Sequence, residues 1–75
     1  MAKQDIAEAV ASAIREMGVR DVSIDRSRRH PRVLWSEAGG QRRGIITVPG
    51  SASDHRSLLN NVKMAQRLVR QARTR

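Results

Sequence analysis

Arg32-Val33-Leu34-Trp35-Ser36-Glu37-Ala38-Gly39-Gly40-Gln41-Arg42-Arg43-Gly44-Ile45-Ile46-Thr47-Val48 reads as a β-hairpin. In residues 32–36, Val33 and Trp35 share one strand face, and Arg32, Leu34 and Ser36 share the other. Residues 42–48 are rich in β-branched side chains and form the partner strand. Between them, Gly39-Gly40 supplies the positive φ angles a tight turn at 37–41 demands. Pro49-Gly50 ends the second strand. Every other element must attach to this antiparallel pair.

Upstream, Asp21-Val22-Ser23-Ile24-Asp25 alternates and makes a short strand with Val22 and Ile24 facing inward. Before it, Ile6, Val10, Ala13, Ile14 and Met17 recur at helical spacing and predict an amphipathic helix over 5–17. Asp5 caps that helix, with Glu8 at the capping-box position, and Gly18 terminates it. Downstream, Ser51 and Asp54 repeat the capping-box spacing. They open a last helix with the apolar stripe Leu58, Val62, Ala65, Val69 and Ala72, widened by Leu59 and Leu68. Asn60-Asn61 is a weak spot in it, and the tail at about 73–75 is expected to fray. The expected class is α+β, in the order α-β-β-β-α. The simplest closure is a three-stranded antiparallel sheet with both helices packed on one face. Residues 1–75 read as a single small basic domain without repeat or linker.

Composition narrows the function. With Trp35 as the sole aromatic residue, the core must be aliphatic. The absence of cysteine excludes disulfides and thiolate metal sites. No apolar run approaches a signal-peptide core or a membrane span, so a cytoplasmic protein with no membrane partner is expected. Net charge is +8, unevenly spread: residues 1–25 carry −2 and residues 26–75 carry +10. Such asymmetry points to a polyanion, although net charge also serves plain solubility.

Two clusters hold the charge. On the last helix, Arg56, Asn60, Lys63, Arg67 and Arg70 recur at three- and four-residue spacing and form one stripe beside the apolar one. Ahead of the hairpin stand Arg26, Arg28, Arg29, His30 and Arg32, in a segment stiffened by Pro31. Arg42 and Arg43 either extend this second patch or are carried by the hairpin to the far end. Arginine outnumbers lysine 13 to 2, and its planar fork suits phosphate oxygens. The expected partner is nucleic acid, RNA ahead of DNA. One indole makes no platform for stacked bases, whether Trp35 packs in the core or is exposed, so backbone or shape recognition is expected over base reading.

The order of elements resembles the double-stranded-RNA-binding fold. Together with His30 in the basic segment Arg26-Ser27-Arg28-Arg29-His30, and Val48-Pro49 leading into the last helix, it looks more closely like HicA-like proteins. These are small toxins that use this fold to cleave messenger RNA. The resemblance implies a ribonuclease with His30 as its catalytic residue. HicA-like toxins usually carry Gly-Ser-His where this chain has Arg28-Arg29-His30, followed by Pro31. The double-stranded-RNA-binding family has a lysine cluster where this chain has Asp54-His55-Arg56. Residues 29–69, and Val48 to Asp54 above all, also resemble small phage or prophage proteins, which implies no activity.

Read from its residues alone, His30 suits general acid–base catalysis beside arginines, phosphate binding, or no role. His55 reads as an exposed helix residue. Two histidines without neighbouring carboxylates or cysteines make no metal site, and no glycine-rich phosphate loop is present, so no metal or cofactor is expected. A third reading is a protein-interaction module, a homodimer joined through the open sheet face by Leu34 or Trp35.

Overall fold

The fold is that of a computed structural model, which describes residues 5–49 and 55–74. Its elements are α1 (Ile6–Glu16), β1 (Asp21–Asp25), β2 (Arg32–Glu37), a short 3-10 turn (Ala38–Gly40), β3 (Arg42–Thr47) and α2 (His55–Arg73). The three strands form one antiparallel sheet in the order β1-β2-β3. Both helices pack on one face of it, so the expected α-β-β-β-α architecture holds.

Register explains the core. Trp35 stands between Val22 and Gly44, and Val33 between Ile24 and Ile46. These six positions share the helix-facing side of the sheet. Above them, α1 buries a wide arc, Ile6, Ala7, Val10, Ala11, Ala13 and Ile14, because it meets both the sheet and α2. Ala65 and Val69 of α2 and Val19 and Val48 of the connections complete the cluster. Burying an aliphatic side chain of this kind contributes about 1.5–3 kcal/mol. Leu59 and Leu68, expected in this core, are instead largely exposed. The reason is placement: α2 lies against α1 and over β3, the last strand of the sheet, so only a narrow arc of it is covered.

Local signals behave mostly as their chemistry dictates. Asp5 Oδ1 accepts from Glu8 N–H at 3.3 Å and caps α1. The reciprocal half of a capping box is not made; Glu8 Oε1 stands 3.7 Å from Arg26 Nη2 instead. Gly18, at φ +94°, ends α1. The β2–β3 turn holds three successive positive φ angles, at Ala38 (55°), Gly39 (66°) and Gly40 (91°). Helix α2 continues through Asn60-Asn61, and Asn61 Nδ2 donates to the Ser57 carbonyl at 2.8 Å. Ser51 and Asp54, the predicted cap of α2, lie outside the described residues.

Of the tail expected to fray at about 73–75, Arg73 and Thr74 are described. Arg73 closes α2, and its guanidinium makes three hydrogen bonds. Nε and Nη2 donate to Glu37 at 2.8 and 2.9 Å, and Nη2 donates to the Met17 carbonyl at 2.8 Å. Helix ends, β2 and α1 are thus pinned at one point. Glu37 also accepts from Arg42 Nε at 3.1 Å, and these partners hold its carboxyl down at about 2 despite desolvation.

Candidate nucleic-acid interface

The site is built from what remains after the internal ion pairs are formed. Arg26 Nη2 binds Asp5 Oδ2 at 2.8 Å and ties the β1–β2 connection to the start of α1. Arg32 lies on the outer sheet face, opposite Asp25 in register, and binds it at 3.0 Å. Asp25 also accepts from Ser27 N–H at 2.9 Å and Ser27 Oγ at 2.6 Å, and its carboxyl is lowered to about 2, first by the Ser27 bonds and then by Arg32. At the other end of the loop Pro31 is buried, and its carbonyl accepts from Val48 N–H at 3.0 Å. Residues 26–30 are therefore fastened at both ends. Arg28, Arg29 and His30 stand exposed between the anchors and have no ion-pair partner among the described residues.

Helix α2 carries the second cluster. Arg56, Asn60, Lys63, Arg67 and Arg70 are all exposed, and none of these cations has an ion-pair partner among the described residues. From Arg56 to Arg70 the stripe covers about 21 Å at 1.5 Å per residue. Because Arg73 is pinned beside Glu37 and Met17, α2 ends at the hairpin end of the sheet. Its first turn therefore lies toward the opposite end, where the 26–30 loop also lies. The two clusters share that end through Arg56, while Arg67 and Arg70 run away from the loop. Of the predicted site residues, then, Arg26 and Arg32 have ion-pair partners, and the other eight have none among the described residues.

The hairpin separates its two arginines. Arg42 turns to the helix side and binds Glu37, whereas Arg43 pairs with Ser36 on the outer face. Both stand at the far end from the 26–30 loop, so neither extends that patch. Arg20 and Arg43 line a shallow groove on the outer face with Leu34, Ser36 and Ile45. Arg43 was a legible member of this surface, since strand alternation places it with Ile45; Arg20 carries no such signal.

Trp35 is 4% exposed, so it is a core residue and offers no face for stacking. A Cβ at Gly44 would lie 2.7 Å from its Nε1, showing how closely the indole covers β3. The side chain of His55 lies outside the described residues. Among the described residues no group of three or more His, Cys, Asp and Glu is placed to hold a metal, and no helix is long and apolar enough to cross a membrane. No protein-family model, curated protein or solved structure matches the chain.

Proposed function

We propose that this domain binds nucleic acid, RNA in preference to DNA, through the phosphate backbone. One observation carries the reading: Arg56, Lys63, Arg67 and Arg70 line the outer face of α2 without a carboxylate partner among the described residues, while four acidic residues elsewhere are engaged by Arg26, Arg32, Arg42 and Arg73. The exposed Arg28, Arg29 and His30 extend the contact at the start of the helix. Burial of the single indole supports backbone over base recognition. The preference for RNA rests on the element order shared with double-stranded-RNA-binding folds, and an RNA partner fits a cytoplasmic setting.

The test is a titration of labelled duplex RNA, single-stranded RNA and duplex DNA across a salt series. With Arg28 and Arg29 beside the four helix cations, six phosphate contacts predict a slope of log K against log salt of about −5.4 on duplex DNA. Changing Lys63, Arg67 and Arg70 together to Ala brings that slope to about −2.7, with the fold intact by circular dichroism. Changing Arg26 or Arg32 alone, whose charges are used internally, leaves the slope unchanged. Absence of binding at low salt defeats the proposal.

A ribonuclease reading is favoured by one feature, the presentation of exposed His30 between anchored loop ends beside Arg28 and Arg29. It predicts growth arrest on expression of the wild type and not of His30→Ala. Equal growth, with cellular RNA intact, excludes it.

A further inference from the structure

The edge of β3 differs from the edge of β1. At β1 the outward Val22 carbonyl accepts from Arg15 Nη2 at 3.4 Å, and Asp21 and Asp25 stand at the strand's two ends. Charged ends and a covering side chain protect an edge from further pairing. Along β3 no side chain among the described residues bonds to the backbone of 42–47. The bond from Val48 N–H to Pro31 sets the parity of the strand. Residues 42, 44 and 46 direct their N–H and C=O toward β2, and Arg43, Ile45 and Thr47 direct theirs outward.

Helix α2 contributes a matching flank. Ser57, Asn61, Met64, Leu68 and Gln71 recur at the same spacing as the basic stripe, one residue on, and none is charged. Leu68 and Gln71 line a groove with Gly44, Ile45 and Ile46, which places this flank over the β3 edge. Of the exposed large hydrophobic residues, Ile45 (58%) and Leu68 (40%) line this groove, and Met64 (54%) stands one helical turn before Leu68 on the same flank. An uncharged band with Met and Leu at its centre, rimmed by arginine, has the composition of an interface core.

We infer that the chain forms a two-fold dimer in which β3 pairs antiparallel with β3 of a second copy about Ile45. The second copy is the occupant because the edge can pair with itself without like charges meeting along it. With the axis at Ile45, Ile45 meets Ile45, and Arg43 meets Thr47, so no arginine on the strand opposes another. Arg43, Ile45 and Thr47 then exchange their outward N–H and C=O groups in full. The same axis sets the two α2 helices side by side and antiparallel, uncharged flank to uncharged flank, with Leu68 beside the axis. The flat outer sheet face is the poorer candidate. Of the nine residues that β1, β2 and β3 direct to it, only Leu34 and Ile45 are apolar. The dimer would be a continuous six-stranded sheet, twice the three strands of one chain, with both basic stripes on one side.

The inference does not depend on nucleic acid, and its test excludes it. Mass is measured by sedimentation equilibrium on nucleic-acid-free protein at high salt, across a concentration series. A mass approaching twice 8.4 kDa is expected at the upper end. Ile45→Pro removes an outward N–H that β2 does not use, and Leu68→Glu charges the flank; each shifts the mass to that of one chain with far-UV circular dichroism retained. Leu59→Glu, on the opposite flank, leaves the dimer intact. Leu68→Glu decides the matter should Ile45→Pro disturb the strand. A single-chain mass for the wild type throughout, or a dimer indifferent to Leu68→Glu, overturns the proposal.

Discussion

Gly44→Ala is a one-carbon change that strikes the centre of the sheet. A Cβ there would lie 2.7 Å from Trp35 Nε1, 3.0 Å from Cε2 and 3.2 Å from Cζ2. Carbon contacts are most favourable near 3.5–4.0 Å, so all three distances fall on the repulsive wall. The neighbour is a rigid two-ring plane, not the end of a flexible chain, and it is enclosed by the helices. It must therefore tilt as a unit into a packed core. Overpacking of this kind costs about 1–3 kcal/mol, and the smaller unfolded-state freedom of alanine offsets only about 0.4–1 kcal/mol of it. The net loss is about 1–2 kcal/mol, which in a domain of this size lowers Tm by about 4–16 °C. Thermal and urea melts followed by circular dichroism measure it. A double-mutant cycle isolates the contact: in a Trp35→Leu background, Gly44→Ala costs less than about 0.5 kcal/mol, because the ring that it strikes is gone. An equal loss in both backgrounds, or a wild-type Tm for Gly44→Ala, would refute the account of Trp35 packed on a bare strand position.

Two further outcomes are expected. Asp25 and Glu37 have folded-state values of about 2, below their ordinary 3.8 and 4.5. Depressed carboxyls contribute stability that is complete above the unfolded values and is lost as pH falls toward 2. The urea midpoint should therefore fall steadily from pH 5 to pH 2; Glu37→Gln should be less stable at pH 7 and show a shallower fall, and parallel curves would refute the Glu37 assignment. Ala38 carries a side chain at φ 55°. Ala38→Gly should relieve on the order of 1 kcal/mol and raise Tm, a sign that reverses if the turn has ordinary negative φ.

The fold was legible because period and punctuation agree. Alternation placed Val33 with Trp35 and Leu34 opposite them, and the Gly39-Gly40 turn set the strand order. The partnership of Trp35 with Gly44 was not legible, since it depends on the pairing register and hence on how the turn closes. Leu59 and Leu68 misled because apolar spacing gives the direction of a helical face but not its width. That width is set by how far α2 overhangs the last strand. In the site, the α2 stripe follows from spacing alone. The engagement of Arg26 does not, for its partner Asp5 is 21 residues away. Arg32 with Asp25, and Arg42 with Glu37, are cross-element pairs that exist only once the strands are in register.

How the few acidic residues are placed decides where the surface charge ends up. Asp5, Glu8, Asp25 and Glu37 lie at or near element ends, and each meets an arginine from another part of the chain or across a turn. These pairs tie α1 to the β1–β2 connection, close the base of the 26–30 loop, and fasten α2 to β2. Helix α2 itself contains no acidic residue. Lys63, Arg67 and Arg70 at four- and three-residue spacing therefore repel without relief, at about 0.2–0.5 kcal/mol per adjacent pair. A surface selected only for solubility would intersperse signs and avoid that penalty. Here one face of α2 is apolar, the next flank is uncharged and the outer face is cationic. Three faces so distinct on a single 19-residue helix are what a core, a partner copy and a polyanion would each separately require.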